Sequence, residues 1–181
     1  MLVVNIGMLR HYQDYLRAKC EVVSIGGIYV YPIFRVGYTS LMADADMVFT
    51  NKEITKCNHI TVMLRNPAHR FVSGVNEYGL QNGKTVDYVY DEIKKGTLMD
   101  RHFMPQYLWL LHLYKYYKGP VELKPFENIN EITQTHLRKN EPHQQVEPVD
   151  RFIEVDLDLM QDMNKTLLLG DIIRKHKNVL S

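Results

Sequence analysis

What this 181-residue sequence has little of excludes several classes of protein. It has only two cysteines, Cys20 and Cys57, too few for a disulfide framework. No stretch approaches the roughly 20 apolar residues of a membrane span, and residues 1–7 are too short, and too soon followed by charge, for a signal peptide. The formal net charge is +1, so attraction for an anion must be local rather than global. A reducing cytoplasm is the expected setting.

Some familiar motifs are also missing. The pattern G-x-x-x-x-G-K-[ST] does not occur, so there is no Walker A loop. Cys57 and His59 stand close together without a second ligand pair at suitable spacing, so no zinc site is predicted. Internal repeats and low-complexity tracts are absent. The composition, 45% hydrophobic and 24% charged, is typical of a single globular domain over residues 1–181.

The most informative stretch covers residues 60–73. Ile60–Leu64 is short and apolar, as in a strand buried on both faces of a parallel sheet. Pro67 favours a helix start, because its missing N–H is not needed in the first turn. We therefore expect a strand, a polar turn and a helix over about residues 68–80.

Three polar residues of this stretch fall close together. In the predicted helix Arg70 and Ser73 lie three residues apart on one face, and Arg65 stands at the end of the strand. Such a set fits an anion clamp, because a guanidinium fork and a hydroxyl bind phosphate well. The structural alternative is an arginine that caps the sheet edge and a serine that faces water.

An earlier stretch has the same logic. Ile28–Tyr31 is strand-like, Gly37 permits a tight turn, and Thr39 and Ser40 offer hydroxyl and N–H groups at a helix start. Arg35 brings the charge. Two such turns in one domain predict a ligand with two separate phosphates.

Both stretches resemble the two phosphate-binding motifs of the sulfotransferase family, particularly its carbohydrate (membrane-type) branch and the compact bacterial or phage relatives. The matching residues are Arg35-x-Gly37-x-Thr39-Ser40-Leu41 and Arg65-Asn66-Pro67-x-x-Arg70-x-x-Ser73. Three later segments follow in the family's order. They are Asp100-Arg101-His102-Phe103-Met104-Pro105-Gln106, similar to His-x-x-Pro-Gln; Pro125-Phe126-Glu127-Asn128-Ile129, similar to Phe-Glu-Asn-Leu; and, more weakly, Lys175-His176-Lys177-Asn178, similar to His-x-Asn.

The resemblance implies a donor, 3′-phosphoadenosine 5′-phosphosulfate (PAPS), a product, adenosine 3′,5′-bisphosphate (PAP), and no metal. The first motif would hold the 5′-phosphosulfate, and Arg65 with Ser73 the 3′-phosphate. The implied nucleotide-binding residues are Arg35, Gly37, Tyr38, Thr39, Ser40, Leu41, Arg65 and Ser73. Arg35 and His102 would be catalytic, His102 as general base toward a hydroxyl or amine acceptor. The alternative for His102 is a hydrogen-bonded structural histidine.

Two features depart from the family pattern. Arg35 stands where the family usually has lysine, and arginine keeps the charge but does not readily give up a proton. Only about twenty residues separate Leu41 from Thr61, so a strand and helix of larger relatives are expected to be missing. The acceptor pocket would then be reduced or completed by another chain.

The remaining elements follow from local patterns. Gly26-Gly27 predicts a hairpin turn between residues 21–25 and 28–31. The other predicted helices cover residues 8–19, 86–95 (capped by Thr85), 106–117, about 128–139 (starting at Asn128) and 160–175. Strands are predicted over 121–123 and 151–159. Polar connections are predicted over 51–58 and 140–148.

The sequence thus predicts one α/β domain with a mostly parallel central sheet flanked by helices, of the P-loop-like kind seen in sulfotransferases. The expected partner is a small-molecule or carbohydrate acceptor, not nucleic acid, and the oligomeric state stays open. Two rival functions remain. One is a kinase-like phosphotransferase, which needs a magnesium-binding carboxylate; Asp44 and Asp46 follow the first turn, although no motif frames them. The other is a nucleotide-binding relative without catalysis.

Overall fold

The centre of the molecule is one β-sheet. A computed structural model describes residues 19–134 and 143–176, and within them the sheet has six strands. The strands are β1 (Glu21–Ile25), β2 (Ile28–Tyr31), β3 (Met47–Thr50), β4 (Ile60–Leu64), β5 (Pro120–Pro125) and β6 (Thr166–Leu168), and their order in the sheet is β3-β1-β2-β4-β5-β6. The three neighbours β2, β4 and β5 are parallel. β1 is antiparallel to β2 and β3, and β6 to β5, so the α/β sheet is mixed, with a parallel centre.

Helices flank this sheet. They are α1 (Tyr38–Ala43), α2 (Pro67–Gln81), α3 (Val86–Lys95), α4 (Gln106–Tyr114), α5 (Asp150–Met160) and α6 (Leu169–His176), with 3₁₀ helices at Asn51–Lys56 and Phe126–Glu131. None of the helices within the described residues is long and apolar enough to cross a membrane.

Several local predictions are confirmed. Gly26 and Gly27 have φ of 55° and 84° and join β1 to β2 in an antiparallel hairpin. All five residues of β4 are buried, as expected of a central parallel strand. Pro67 is at the start of α2. Thr85 caps α3, which ends at the left-handed Gly96.

The prediction of a strand over residues 151–159 is wrong, because this segment is helix α5. Phe152, Val155, Asp156 and Leu159 are buried, and their spacing is that of one helical face. The alternating pattern depended on Leu157, which is 49% exposed. The burial of an aspartate on the inner face hid the helical period.

Other boundaries also differ. Residues 161–164 form turns, so the predicted helix over 160–175 is instead a turn, strand β6 and helix α6. A 3₁₀ helix replaces most of the polar connection over 51–58, and β3 before it was not predicted. The helix starting at Asn128 is instead the 3₁₀ helix Phe126–Glu131. The predicted 106–117 helix ends at Tyr114. Residues 8–18, 135–142 and 177–178, which also carried predictions, lie outside the described residues.

Candidate functional site

The carboxyl ends of β2, β4 and β5 meet at one edge of the sheet, because the three strands are parallel neighbours. Arg35 follows β2, Arg65 follows β4 directly, and Phe126 follows β5 directly. In α/β proteins this edge is where ligands usually bind. Both basic motifs predicted from the sequence are therefore at the place that the fold favours for a site.

The two motifs are in direct contact. Arg35 donates to the Ser73 hydroxyl oxygen from Nε at 3.0 Å and from Nη2 at 2.6 Å. Its Nη1 lies 3.2 Å from Oε2 of Glu77. Arg65 donates from Nη1 to the backbone carbonyl of Arg35 at 3.1 Å. We call Arg35, Arg65, Ser73 and Glu77 the arginine cluster.

The loop between β2 and α1 has an unusual backbone. Arg35 has φ of 64° and Gly37 φ of 72°, a region that side chains with a Cβ rarely adopt. A Cβ on Gly37 would lie 2.1 Å from Cδ1 of Ile129. The backbone conformation favours glycine here, and a larger residue would also have to displace the end of the Ile129 side chain.

Phe126 joins the two motifs after β5. Its ring lies 3.4 Å from the position of a Cβ on Gly37. The guanidinium of Arg65 lies 5.2 Å from the centroid of the same ring, within the range of a cation–π contact. Residues 125–129, the segment similar to Phe-Glu-Asn-Leu, therefore lie beside both motifs.

The two guanidinium groups are crowded and half-buried. Burial lowers the pKa of Arg35, and Glu77 opposes that shift. Burial and then the charge of Arg35 lower the pKa of Arg65, against a smaller opposing effect of Glu127. Arginine stays charged in proteins, so two positive charges lie close together in this half-buried region. An anion bound here would relieve both effects.

His102 forms a dyad with Asp100. Nδ1 of the ring lies 2.5 Å from Oδ1 of Asp100, and the same oxygen accepts from the His102 backbone N at 2.9 Å. Burial raises the pKa of Asp100, but the hydrogen bonds from His102 outweigh it and hold that pKa below its ordinary value. A carboxylate on Nδ1 fixes the tautomer. Nε2 is then the nitrogen that can act as a base.

The dyad lies next to the arginine cluster. The His102 ring centroid is 5.5 Å from that of Phe34, the residue before Arg35. A Cβ on Gly74, the residue after Ser73, would lie 2.2 Å from the His102 carbonyl oxygen. The structure thus brings Arg35, Gly37, Arg65, Ser73 and His102 into one region.

Arg70 has a different role from the other arginines. Its side chain is almost fully buried, at 2% exposure. It donates from Nε to the Phe34 carbonyl at 3.0 Å, from Nη2 to the Arg101 carbonyl at 3.2 Å, and from Nη1 to the Met104 carbonyl. Arg70 therefore ties the loop of Arg35 to the loop of His102.

Gln106 and Asp156 also position the site. Sequence reasoning noted Gln106 only as the end of the 100–106 segment and gave neither residue a role in the site. The Gln106 amide donates to the Arg65 carbonyl at 2.9 Å and accepts from the Arg65 N at 2.9 Å. Asp156 of α5 accepts from the backbone N of Gln106 at 2.7 Å and of Tyr107 at 2.8 Å. It thus caps α4, which starts after a proline with no side-chain cap of its own. No local signal marks an N-cap supplied from fifty residues away.

The other residues of the first motif divide between surface and core. Tyr38 stacks on Phe34 with centroids 4.3 Å apart, and its hydroxyl donates to Glu21 at 3.4 Å. Thr39 is exposed, whereas Ser40 and Leu41 are buried. Helix α1 has only six residues, so its macrodipole adds little at its N-terminus.

The C-terminal match lies elsewhere in the fold. Nε2 of His176 lies 3.7 Å from Oδ2 of Asp162, which also pairs with Lys175 at 2.6 Å. The His176 ring packs on Tyr107. Lys177 and Asn178 lie outside the described residues. His176 therefore belongs to the packing of α6.

Two cavities of the described residues offer alternative places for a ligand. One of about 70 Å³ lies beside Phe34 and Arg101 and has Tyr31, Tyr38 and Trp109 among its walls. A larger cleft of about 360 Å³ is lined by His59, Thr61, Glu122 and Lys124 among others, and by no member of the arginine cluster. We place the candidate site at the cluster, where the charge is, rather than at the larger cleft.

The two carboxylates of the kinase alternative have structural partners. Asp44 accepts from the backbone N of Gln134 at 2.8 Å and from the Thr133 hydroxyl. Asp46 accepts from the backbone N of Gly26 at 2.6 Å. Within residues 19–134 and 143–176 no group of three or more His, Cys, Asp or Glu could hold a metal ion.

Comparison of the chain with protein-family models, with curated proteins and with solved structures finds no match in any of the three. A function is therefore inferred from the motifs and from the geometry of the arginine cluster and the dyad.

Proposed function

We propose that this protein is a sulfotransferase, which moves a sulfuryl group from PAPS to a hydroxyl or amine acceptor and releases PAP. One observation carries the proposal. Arg35 and Arg65, each predicted from a separate phosphate-binding motif, meet with Ser73 at the carboxyl edge of the parallel strands. Such a convergence of guanidinium and hydroxyl donors suits the phosphates of a nucleotide.

The cluster refines the roles expected from the motifs. The Arg35 side chain donates to the Ser73 hydroxyl. The residues expected to bind the 5′-phosphosulfate and those expected to bind the 3′-phosphate therefore lie side by side rather than at two separate places. In the proposed complex the 3′-phosphate accepts from Ser73 and Arg65. Arg35 lies between this phosphate and the 5′ side, where its charge stabilises the departing phosphate. A bound anion competes with Glu77 for Arg35.

The transfer needs a base but no redox chemistry. The acceptor hydroxyl attacks sulfur, an oxygen–sulfur bond forms, and the bond from sulfur to the bridging 5′-phosphate oxygen breaks. The acceptor proton goes to Nε2 of His102, and Asp100 stabilises the resulting imidazolium. Arg35 stabilises charge on PAP without donating a proton.

Calorimetry without magnesium tests the nucleotide part of the proposal. We expect PAP to bind at least about tenfold more tightly than 5′-AMP, or about 1.4 kcal/mol, because only PAP carries the 3′-phosphate. Arg65→Ala and Ser73→Ala should each erase that preference. Arg174→Ala is the matched control, because Arg174 is exposed and pairs only locally with Asp171. Equal binding of PAP and 5′-AMP, or binding that needs magnesium, would contradict the proposal.

A second candidate is a nucleotide-binding protein without transfer activity. It is favoured by one observation: Arg35 is already engaged by Ser73 and Glu77, so its guanidinium is held against α2. Incubation with PAPS and a panel of hydroxyl and amine acceptors separates the two. Transfer that disappears in His102→Gln supports the enzyme. Tight PAP binding with no transfer to any acceptor supports the second candidate.

A further inference from the structure

The segment after residue 142 is fixed against α2 close to the arginine cluster. The Gln144 backbone N donates to Oδ1 of Asn76 at 2.9 Å, and Nδ2 of Asn76 donates to the Gln144 carbonyl at 2.9 Å. The Gln144 side chain also donates to Asp87 of α3 at 2.6 Å. Asn76 precedes Glu77 and lies one helical turn from Ser73. This pairing therefore determines where His143 lies.

One ring nitrogen of His143, Nε2, is buried without a hydrogen-bond partner among the residues that the structure describes. A buried ring nitrogen without a partner is unfavourable, and in native proteins such atoms usually have a protein, water or ligand partner. The nearby Glu77 carboxylate is already bound to Arg35.

The surroundings of His143 indicate what that partner is. Its charged neighbours are Arg35 from the loop after β2, Arg65 from the end of β4, and Glu77 from α2. Asp87 of α3 is bound to the adjacent Gln144. Two guanidinium groups and an imidazole N–H beside one carboxylate form a set of donors that favours an oxyanion over a cation.

We propose that His143 is a third anion-binding residue of the cluster, whose Nε2–H donates to an oxygen of a phosphate or sulfate group held by Arg35 and Arg65. The proposal rests on the proposed function only for the identity of that anion, the 3′-phosphate of PAP. It assigns a specificity-determining role to a segment that no motif marked.

Anion binding and protonation of His143 are then linked. Burial, followed by the charges of Arg35 and Arg65, lowers the pKa of His143 in the free protein, and Glu77 opposes this. A bound anion neutralises the arginines and favours the imidazolium, so it raises that pKa. By linkage, the anion binds more tightly as the pH falls through the range in which His143 gains its proton.

The test uses inorganic sulfate, because sulfate itself does not titrate in this range. The His143 ring resonances are followed by NMR through pH titrations with and without sulfate. We expect sulfate to raise the pKa of His143 by about half a unit, and its affinity to rise as the pH falls, by up to about threefold for a shift of that size. In His143→Gln the pH dependence should disappear. His69→Gln is the control and should keep it, because His69 is exposed on α2.

Each outcome decides the proposal. No effect of sulfate on the His143 resonances, or an unchanged pH dependence in His143→Gln, overturns it; the first readout needs no variant and so does not depend on folding of a mutant. PAP binding is measured in parallel. If sulfate is coupled to His143 but PAP shows no preference over 5′-AMP, the anion site stands and the sulfotransferase proposal fails. If PAP is preferred over 5′-AMP but sulfate does not affect the His143 resonances, the proposal for His143 fails and the nucleotide part of the sulfotransferase proposal stands.

Discussion

Two neighbouring sets of polar residues differ in where their hydrogen bonds go. Arg70, Gln106 and Asp156 are almost fully buried, and most of their hydrogen bonds are with backbone groups of the site loops. In the arginine cluster, by contrast, the Arg35 side chain bonds to the side chains of Ser73 and Glu77, and the guanidinium groups are half-buried. The first set therefore holds the site loops together, whereas the second set is the part that contacts the ligand in the proposed complex.

The largest effect is expected from Arg70→Met. The substitution leaves the Phe34, Arg101 and Met104 carbonyls without the Arg70 donor, and each buried acceptor left without a partner costs about 1–3 kcal/mol. Arg65→Met is the matched control from the cluster and should lower the free energy of unfolding by only about 1 kcal/mol. Urea denaturation measures both. Similar losses in the two variants would remove the distinction between the two sets.

Gln106→Leu is expected to cost somewhat less, about 2–3 kcal/mol, because it leaves both the N–H and the C=O of Arg65 buried without partners. It should also weaken PAP binding, since the backbone of Arg65 is no longer fixed. Gln161→Leu, at an exposed position, is the control for the substitution itself. A loss of stability without any loss of binding would show that the position of Arg65 does not depend on Gln106.

A smaller effect, recognised by its pH dependence, is expected from Asp156→Asn. Burial raises the pKa of Asp156 from its ordinary 3.8 to about 6, although its hydrogen bonds from Gln106 and Tyr107 oppose this. The folded protein therefore binds the proton more tightly than the unfolded chain. The stability that this supplies is present at low pH and is lost as the pH rises through about 6.

Thermal or urea unfolding between pH 4.5 and 7 measures that linkage. The wild type should gain about 2 kcal/mol relative to Asp156→Asn as the pH falls across this range. Asp158→Asn, at an exposed position of the same helix, should show no such change relative to the wild type. A difference between wild type and Asp156→Asn that is independent of pH would mean that Asp156 keeps its charge when folded.

The sequence predicted those parts of the fold that local chemistry determines. The Gly26-Gly27 hairpin, strand β4, the Pro67 helix start and the Thr85 cap each follow from a few adjacent residues. Arg35 was singled out in the turn before Gly37, Arg65 at the end of a strand, and Ser73 by its spacing of three residues from Arg70 in the helix that follows. Their meeting requires only that β2 and β4 be parallel neighbours.

What the sequence did not reveal depends on contacts between distant segments. Nothing near Arg70 distinguishes it from Arg65, since the difference lies in three carbonyls supplied by two other loops. Residues 151–159 fitted both a strand and a helix, and only the capping of α4 by Asp156 explains the buried aspartate. His143 lies in a segment without motif or periodicity, and its position depends on the pairing of Gln144 with Asn76.

The most direct test of the account is a crystal structure of the protein with PAP. We expect the 3′-phosphate oxygens within about 3 Å of the Arg65 guanidinium and the Ser73 hydroxyl, at the carboxyl edge of β2 and β4. A 3′-phosphate that faces solvent, or a nucleotide bound in the cleft lined by His59, Glu122 and Lys124, would contradict it.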